Sequence, residues 1–288
     1  IVKVGSTENS LTDYWYRNAT WTFEQLLTFD REFGDHAFHV LFGHSVISSE
    51  YSQTTASKQG FPTNNIFELN GGTKNPTAGG MSENYRLQSI FGRFNYIYAN
   101  RYLFEFNIRR DGSSRLPSNN RYATFPSVSL GWVFTNEDFF KNLGAQHWFT
   151  MGKIRASWGK LGNQEIGNYP YSATLGASGN YYFDENGNKQ PGMVQTSVPN
   201  EDIKWETTRS WNVGLDLSFW NNRLSTSFDW YDKKTSDILM QLAMPGIFLG
   251  NLAAPYQNVG EVRNRGLEWA VDYRDSYGDW TWNAGFSL

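Results

Sequence analysis

The chain contains no cysteine among its 288 residues, which excludes a disulfide framework and any thiolate metal centre. Charge is sparse as well. Asp, Glu, Lys and Arg make up 18%, and the net charge is −3, so there is no basic footprint for nucleic acid. No apolar run approaches the roughly 20 residues of a membrane helix, and the mean hydropathy is −0.56. The first residues show neither a charged stretch nor an apolar one behind it, so no secretory leader is recognised. The chain stops at Leu288 in mid-strand pattern. Both ends read as cuts, and the expectation is a piece of a longer polypeptide whose leader and final strands lie outside it.

Aromatics are plentiful at 17%, and they fall in alternating patterns. Trp211, Val213, Leu215, Leu217 and Phe219 alternate with Asn212, Gly214, Asp216 and Ser218; Trp280, Trp282, Ala284 and Phe286 alternate with Thr281, Asn283 and Gly285. A strand sends successive side chains to opposite faces, so each such segment has one apolar and one polar face. Ten strands are predicted, at about 19–31, 36–48, 85–98, 102–111, 122–134, 147–160, 205–219, 223–237, 263–274 and 280–288. The first two are the least regular, because Gln25 interrupts one apolar face and 36–42 is apolar on both.

Two architectures fit one-sided strands: a soluble sandwich, and a transmembrane barrel turned outward to lipid. Connection lengths favour the barrel. Short turns at Glu32–Asp35, Ala99–Arg101, Trp220–Asn222 and Asp275–Asp279, with a longer one at Thr135–Gln146, alternate with long connections at Ser49–Asn84, Asp111–Arg121, Leu161–Lys204 and Ile238–Val262. Barrels of the outer membrane have one tight rim and one rim of long loops. The predicted polar faces carry Arg93, Glu105, Arg109, Lys153, Arg155, Asp216, Asp229, Glu268 and Asp272. A basic residue facing lipid at mid-depth costs about 2–4 kcal/mol, so a register slip would be heavily penalised. Aromatics gather at the short turns, as Tyr98 with Tyr102, Phe134 with Trp148, Phe219 with Trp220 and Tyr273 with Trp280, which suits an interfacial girdle. The fold class expected is all-β, an antiparallel up-and-down transmembrane barrel seen in part.

No constellation argues for catalysis. Asp184-Glu185-Asn186-Gly187-Asn188 begins like a calcium loop, but the sixth and twelfth positions are Lys189 and Gln195, where an EF-hand needs Gly and an acid. His36, His39, His44 and His147 lack zinc spacing, and His36 and His39 fall on opposite faces of a strand. Glu201-Asp202 could pose as a glycosidase acid pair, but it sits beside Pro199-Asn200 in a polar loop. No cofactor or metal is expected.

Several motifs occur in a fixed order. Arg109-Arg110-Asp111-Gly112-Ser113-Ser114-Arg115 precedes Arg121-Tyr122-Ala123-Thr124-Phe125-Pro126-Ser127-Val128-Ser129-Leu130-Gly131-Trp132. Then come Lys153-Ile154-Arg155-Ala156-Ser157-Trp158-Gly159, Leu161-Gly162-Asn163-Gln164, Tyr231-Asp232-Lys233-Lys234-Thr235-Ser236-Asp237-Ile238-Leu239 and Asn258-Val259-Gly260-Glu261-Val262-Arg263-Asn264-Arg265-Gly266-Leu267-Glu268. This series resembles the SusC/RagA family of TonB-dependent outer-membrane transporters, from about Leu87 to the end. Leu116 departs from it, standing where Phe is expected. The physical reading of these motifs is structural: Asp111-Gly112 is a turn signal, and Arg109, Asp111, Gly112, Ser113, Ser114, Lys234, Thr235 and Asp237 are barrel fingerprints.

The resemblance implies a barrel of about 22 strands filled by an N-terminal plug that this chain lacks. It also implies energy from the TonB-ExbB-ExbD complex acting through that plug, and a SusD-like surface lipoprotein as lid. The function expected is uptake of an oligosaccharide or peptide across the outer membrane of a Gram-negative bacterium, without covalent chemistry. A passive porin and a secreted all-β carbohydrate-binding protein are the alternatives. The loop Gly167–Lys204 carries no family pattern, yet Tyr169, Tyr171, Asn180, Tyr181, Tyr182 and Asp184 lie within it. Flat rings with amide and carboxylate neighbours suit sugars, so these six are the expected substrate contacts, and a glycan is favoured over a peptide. A second loop offers Phe248, Asn251, Tyr256 and Gln257. The plainer reading is that such aromatics pack loops together.

Overall fold

Alternating residues become strands wherever the alternation was read. The computed structural model describes residues 8–177, 181–182, 189–190, 192–250 and 252–288. Its strands are β1 (Ser10–Phe33), β2 (His36–Gln59), β3 (Lys74–Tyr98), β4 (Tyr102–Ser113), β5 (Tyr122–Trp132) and β6 (Phe149–Asn163). Short pieces follow, β7 (Leu175–Gly176), β8 (Tyr181–Tyr182), β9 (Lys189–Gln190) and β10 (Val194–Gln195). Then come β11 (Glu206–Phe219), β12 (Leu224–Ser236), β13 (Leu239–Gln241), β14 (Tyr256–Asn258), β15 (Glu261–Tyr277) and β16 (Trp280–Ser287). One ten-stranded sheet has the order β1-β2-β3-β4-β5-β6-β11-β12-β15-β16, and the short strands pair among themselves. Each long strand neighbours the next in sequence, so the sheet is an up-and-down meander with β1 and β16 at its edges.

The chain divides into two units, Ile1–Phe23 with Val46–Leu87, and Glu24–Ser45 with Gln88–Leu288. The first corrects the expected boundaries. β1, β2 and β3 run to 24, 24 and 25 residues, and the long connection expected at Ser49–Asn84 shrinks to 60–73. About 9–11 residues cross a bilayer, so much of each strand exceeds what a span requires. The polar stretch Ser52-Gln53-Thr54-Thr55 carries no alternation because neither face there is apolar. Hydrogen bonding to neighbouring strands makes it a strand nonetheless.

The second unit holds the remaining sheet. Its tight turns close with positive φ, at Gly34 (58°), at Ala99 and Asn100 (50° and 52°), and at Trp220, Asn221 and Asn222 (51°, 55° and 64°). Such left-handed pairs match the twist of a hairpin. The connection after β5 is no plain turn. It contains the four-residue helix Asp138–Lys141.

Registers confirm the two faces. Phe104 opposes Leu130, Phe106 opposes Val128, and Trp132 opposes Ile154. Leu215 sits between Ile154 and Phe228, and Phe228 opposes Trp269. On the other side Glu105 opposes Ser129, Arg155 opposes Gly214, and Asp229 opposes Glu268. The His39 ring bonds Asp30 at 2.7 Å and the His36 ring bonds Tyr96 at 2.8 Å. Those partners settle the irregular first strands, with Phe38, its ring tilted against Tyr96 at 4.9 Å, on the aromatic face.

The apolar face is bare. Leu130 is 55% exposed, Phe286 57% and Val213 44%. A sandwich would bury these against a second sheet, and a soluble monomer rarely leaves so continuous an apolar patch. Aromatic clusters mark the short turns. Tyr98 stacks on Tyr102 at 6.3 Å and Trp148 on Phe219 at 6.1 Å. Phe149 links Phe134 to Trp148, at 6.1 and 5.7 Å. Tyr273 meets Trp282, at 5.2 Å, in place of the expected Trp280, because Trp280 registers opposite Tyr277.

Candidate functional site

The polar face is organised around Arg155 on β6. Its guanidinium reaches across β11 and β12, donating to Asp216 (Nε–Oδ2 3.0 Å), to Asn212 (Nη1–Oδ1 3.3 Å) and to both oxygens of Asp229 (2.7 and 2.6 Å). Fork geometry permits bidentate pairing, which is the strong form of this interaction. The path lies over Gly214, where a Cβ would stand 2.5 Å from the Arg155 Cζ. Beside it, a cleft of about 340 Å³ is lined by Glu105, Ser129, Lys153, Ser157 and Asn212 among others.

Near the long-loop end of β4, Arg109 donates to Asp111 (2.6 Å) and to Ser89 (2.7 Å), and lies over the Phe91 ring at 5.1 Å. Asp111 is 8% exposed and Ser89 2%. Gly112 is packed under the Tyr122 ring, where any Cβ would collide. Ser113 is fully buried and donates to Gln164 at 2.5 Å. The Arg109–Ser114 motif thus ties the base of one loop to that of another.

Beneath the loops lies a small core that the sequence did not announce. Leu116 and Ile203 are fully buried, with Ile166, Phe125 and Trp205 nearly so. Phe125 meets Trp205 edge-on at 5.3 Å, and the Trp205 indole donates to the Arg121 carbonyl at 3.0 Å. Leu116, the departure from the family pattern, is itself fully buried. Asn258 performs a similar task between loops. Its carboxamide accepts from the Lys204 N–H (2.8 Å) and donates to the carbonyls of Lys204 (2.8 Å) and Asp237 (2.9 Å). Asp237 has φ of 58° and its carboxylate pairs with Lys204 at 3.0 Å. Lys234 pairs with Glu261 at 2.8 Å, and the hydroxyls of Thr235 and Thr208 bond at 2.9 Å.

Of the six expected substrate contacts, the structure describes Tyr169, Tyr171, Tyr181 and Tyr182. Tyr169 is 39% exposed with φ of 59°. The Tyr171 hydroxyl donates to the Ser114 carbonyl at 3.3 Å, so that group fastens its loop. Tyr181 and Tyr182 form β8, paired with β9. Asn180 and Asp184, with the calcium-like run beginning at Asp184, lie outside the described residues, as does Asn251. Tyr256 belongs to β14, where its carbonyl accepts from Asn200 at 2.6 Å, and Gln257 opposes Met240. Glu201 and Asp202 accept from Asn119 and Asn120 through their main-chain carbonyls, at 3.5 and 3.0 Å, a loop-tying role. Among the described residues, no group of three or more His, Asp or Glu could hold a metal.

A meander with a bare aromatic face, an ion-bridged face and one rim of long loops defines the wall of a membrane β-barrel. The chain belongs to the family of TonB-dependent receptor-like β-barrels, whose model matches residues 3–288. It is 36% identical over 277 residues to the TonB-dependent receptor P3 of Formosa agariphila, covering 95% of this chain and 27% of that protein. It is also 36% identical over 204 residues to the TonB-dependent receptor SusC of Bacteroides thetaiotaomicron, covering 70% of this chain and 20% of SusC. Among solved structures, the RagAB peptide transporter superposes with a TM-score of 0.82 at 28% identity, over 96% of this chain and 31% of that one. The siderophore receptor PirA of Acinetobacter baumannii, at 14% identity and a TM-score of 0.54 over 95% of this chain and 37% of its own, shares the fold. The chain thus spans about a quarter of the curated relatives it matches. TonB-dependent receptor barrels are outer-membrane proteins of Gram-negative bacteria.

Proposed function

We propose that the complete protein is an energised outer-membrane importer of an oligomer, and that it performs no covalent chemistry. The observation that carries this reading is the pairing of a lipid-ready apolar face with an ion-bridged polar one, on a chain that belongs to the TonB-dependent receptor family. Edges at β1 and β16 cannot stand open in lipid, so this wall is closed by further strands. An N-terminal plug fills the lumen, the TonB-ExbB-ExbD complex pulls on it, and a SusD-like lipoprotein covers the loops. The likeness to SusC and RagAB supports this arrangement.

RagAB is a peptide transporter, yet a glycan is the substrate we assign here. The long loop between β6 and β11 supports it, with Tyr169, Tyr181 and Tyr182 offering rings and Asn180 and Asp184 offering acceptors. Tyr171 contributes ring area while its hydroxyl holds Ser114.

Uptake of labelled oligomers by cells producing the complete transporter, with and without a proton-motive-force uncoupler, tests the import reading. Import should collapse with the uncoupler. Uptake that persists unchanged identifies a passive porin instead.

A further inference from the structure

The unit formed by Ile1–Phe23 and Val46–Leu87 is a three-stranded ribbon whose two faces differ in chemistry. Register follows from its hydrogen bonds. The Gly60 N–H donates to the Asn9 carbonyl at 3.0 Å, and the Thr20 hydroxyl donates to Ser49 at 2.9 Å. Both pairings have the same offset, so β1 and β2 run without a bulge between them. Ser57 bonds Thr77 at 2.6 Å, and Asn75 donates to the Gln59 side chain at 2.7 Å, which sets β3 the same way. Tyr14, Tyr16, Asn18 and Thr20 therefore share a face with the odd-numbered residues of β2 and β3.

Between Thr12 and Thr22, Ile47 and Gln59, and Asn75 and Leu87, that face carries one charged side chain, Glu83. The opposite face takes Asp13, Arg17, Glu50, Lys58 and Arg86. The polar groups on the Tyr14 face are held in line. Ser49 accepts from Thr20 and donates to the Asn18 oxygen at 3.3 Å; Tyr51 donates to Gln53 at 2.7 Å, and the Gln53 amide donates to Thr55 at 3.2 Å. Tyr14 and Tyr16 are 63% and 70% exposed, and two residues along a strand set their rings about 7 Å apart.

We propose that this face binds an uncharged oligosaccharide ahead of its import. The proposal rests on the import reading above. Tyrosine rings offer flat apolar area to sugar faces while the hydroxyl-amide rows exchange donors and acceptors with sugar hydroxyls. A charged ligand would find almost no counter-charge here, whereas the other face would offer both signs. Ordering the polar rows before binding lowers the cost of fixing them against ligand.

Cells producing the complete transporter supply the test. Surface binding is measured with uncoupler present, using labelled maltoheptaose, xylohexaose and mannohexaose, with uncharged heptapeptides as the contrasting probes. At least one oligosaccharide should bind. The Tyr14→Ala/Tyr16→Ala variant should lose about tenfold in affinity, the Phe versions should keep most of it through the retained rings, and Trp15→Ala on the opposite face should not change it. Heat-modifiable migration of each variant on gels verifies that it folds. Binding of peptides alone, binding unaffected by the double Ala variant, or no binding by any probe overturns the proposal. Uncoupler-sensitive uptake is scored separately, so the importer reading stands or falls by itself.

Discussion

The Arg155 guanidinium lies directly over Gly214, so near that a single added methyl carbon would stand 2.5 Å from its central carbon. The glycine is what lets one arginine span from β6 to Asp229 on β12, with Asp216 gripped on the way. Sequence alternation placed all three charges on one face, and this neighbour relation explains why the intervening residue has no side chain.

Arg155→Ala should lower the stability of the complete transporter by about 2 kcal/mol, since Asp216 and Asp229 both lose a charged partner. Gly214→Ala should cost a similar amount by pushing the guanidinium aside. Because both act on one network, the double variant should cost little more than Arg155→Ala alone. Denaturant unfolding in detergent checks this. Fully additive losses would mean that the two residues act separately.

The turn between β5 and β6 should respond to acid. The Glu137 carboxyl is held below its ordinary value of about 4.5, first by the Tyr102 hydroxyl, then by the Trp132 indole and Arg101. The Trp132 and Arg101 contacts measure 3.0 and 3.1 Å. A lowered folded-state value means that its stabilisation is present above the ordinary value and fades as pH falls through the folded one. Melting followed from pH 7 to pH 3 should show a steeper acid loss in wild type than in Glu137→Gln. Identical profiles would remove Glu137 as a contributor.

Leu116→Ala should open the loops without unfolding the sheet. The side chain is fully buried with Ile203 among the loop bases, and such a truncation costs about 2–5 kcal/mol. Limited proteolysis should cut within 111–121 and 164–204 much faster, while heat-modifiable migration on gels stays. Protection equal to wild type would show that Asn258 and the Ser113–Gln164 bond suffice to hold the loops.

The strands were legible where lipid enforces a code. Trp211–Phe219 alternates without a fault because one face meets hydrocarbon, and the same force set the register of Phe228 against Trp269. It was illegible over Ser10–Ala19 and Ser49–Gln59, where polar residues stand on both faces and no apolar period is imposed. The loop core was hidden for another reason. Leu116, Ile166 and Ile203 are single apolar residues in polar stretches, and only tertiary closure buries them. The ligand-contact residues in 167–204 follow no period at all, so chemistry alone selected them. Asn258 was within sight as part of a motif, but its bridge to Lys204 and Asp237 depends on contacts that spacing does not encode.

The central claim is that this sheet is a barrel wall with lipid on one face and the lumen on the other. The chain's lack of cysteine makes the decisive measurement direct. Single cysteines are placed in turn from Trp211 to Phe219 in the complete transporter, with any cysteines elsewhere removed, and spin-labelled in lipid vesicles. The account predicts a strict period of two: labels at 211, 213, 215, 217 and 219 collide with oxygen dissolved in lipid, and those at 212, 214, 216 and 218 lie apart from it, on the lumenal side. Uniform accessibility to a water-soluble relaxant along the segment, or no alternation, would contradict it.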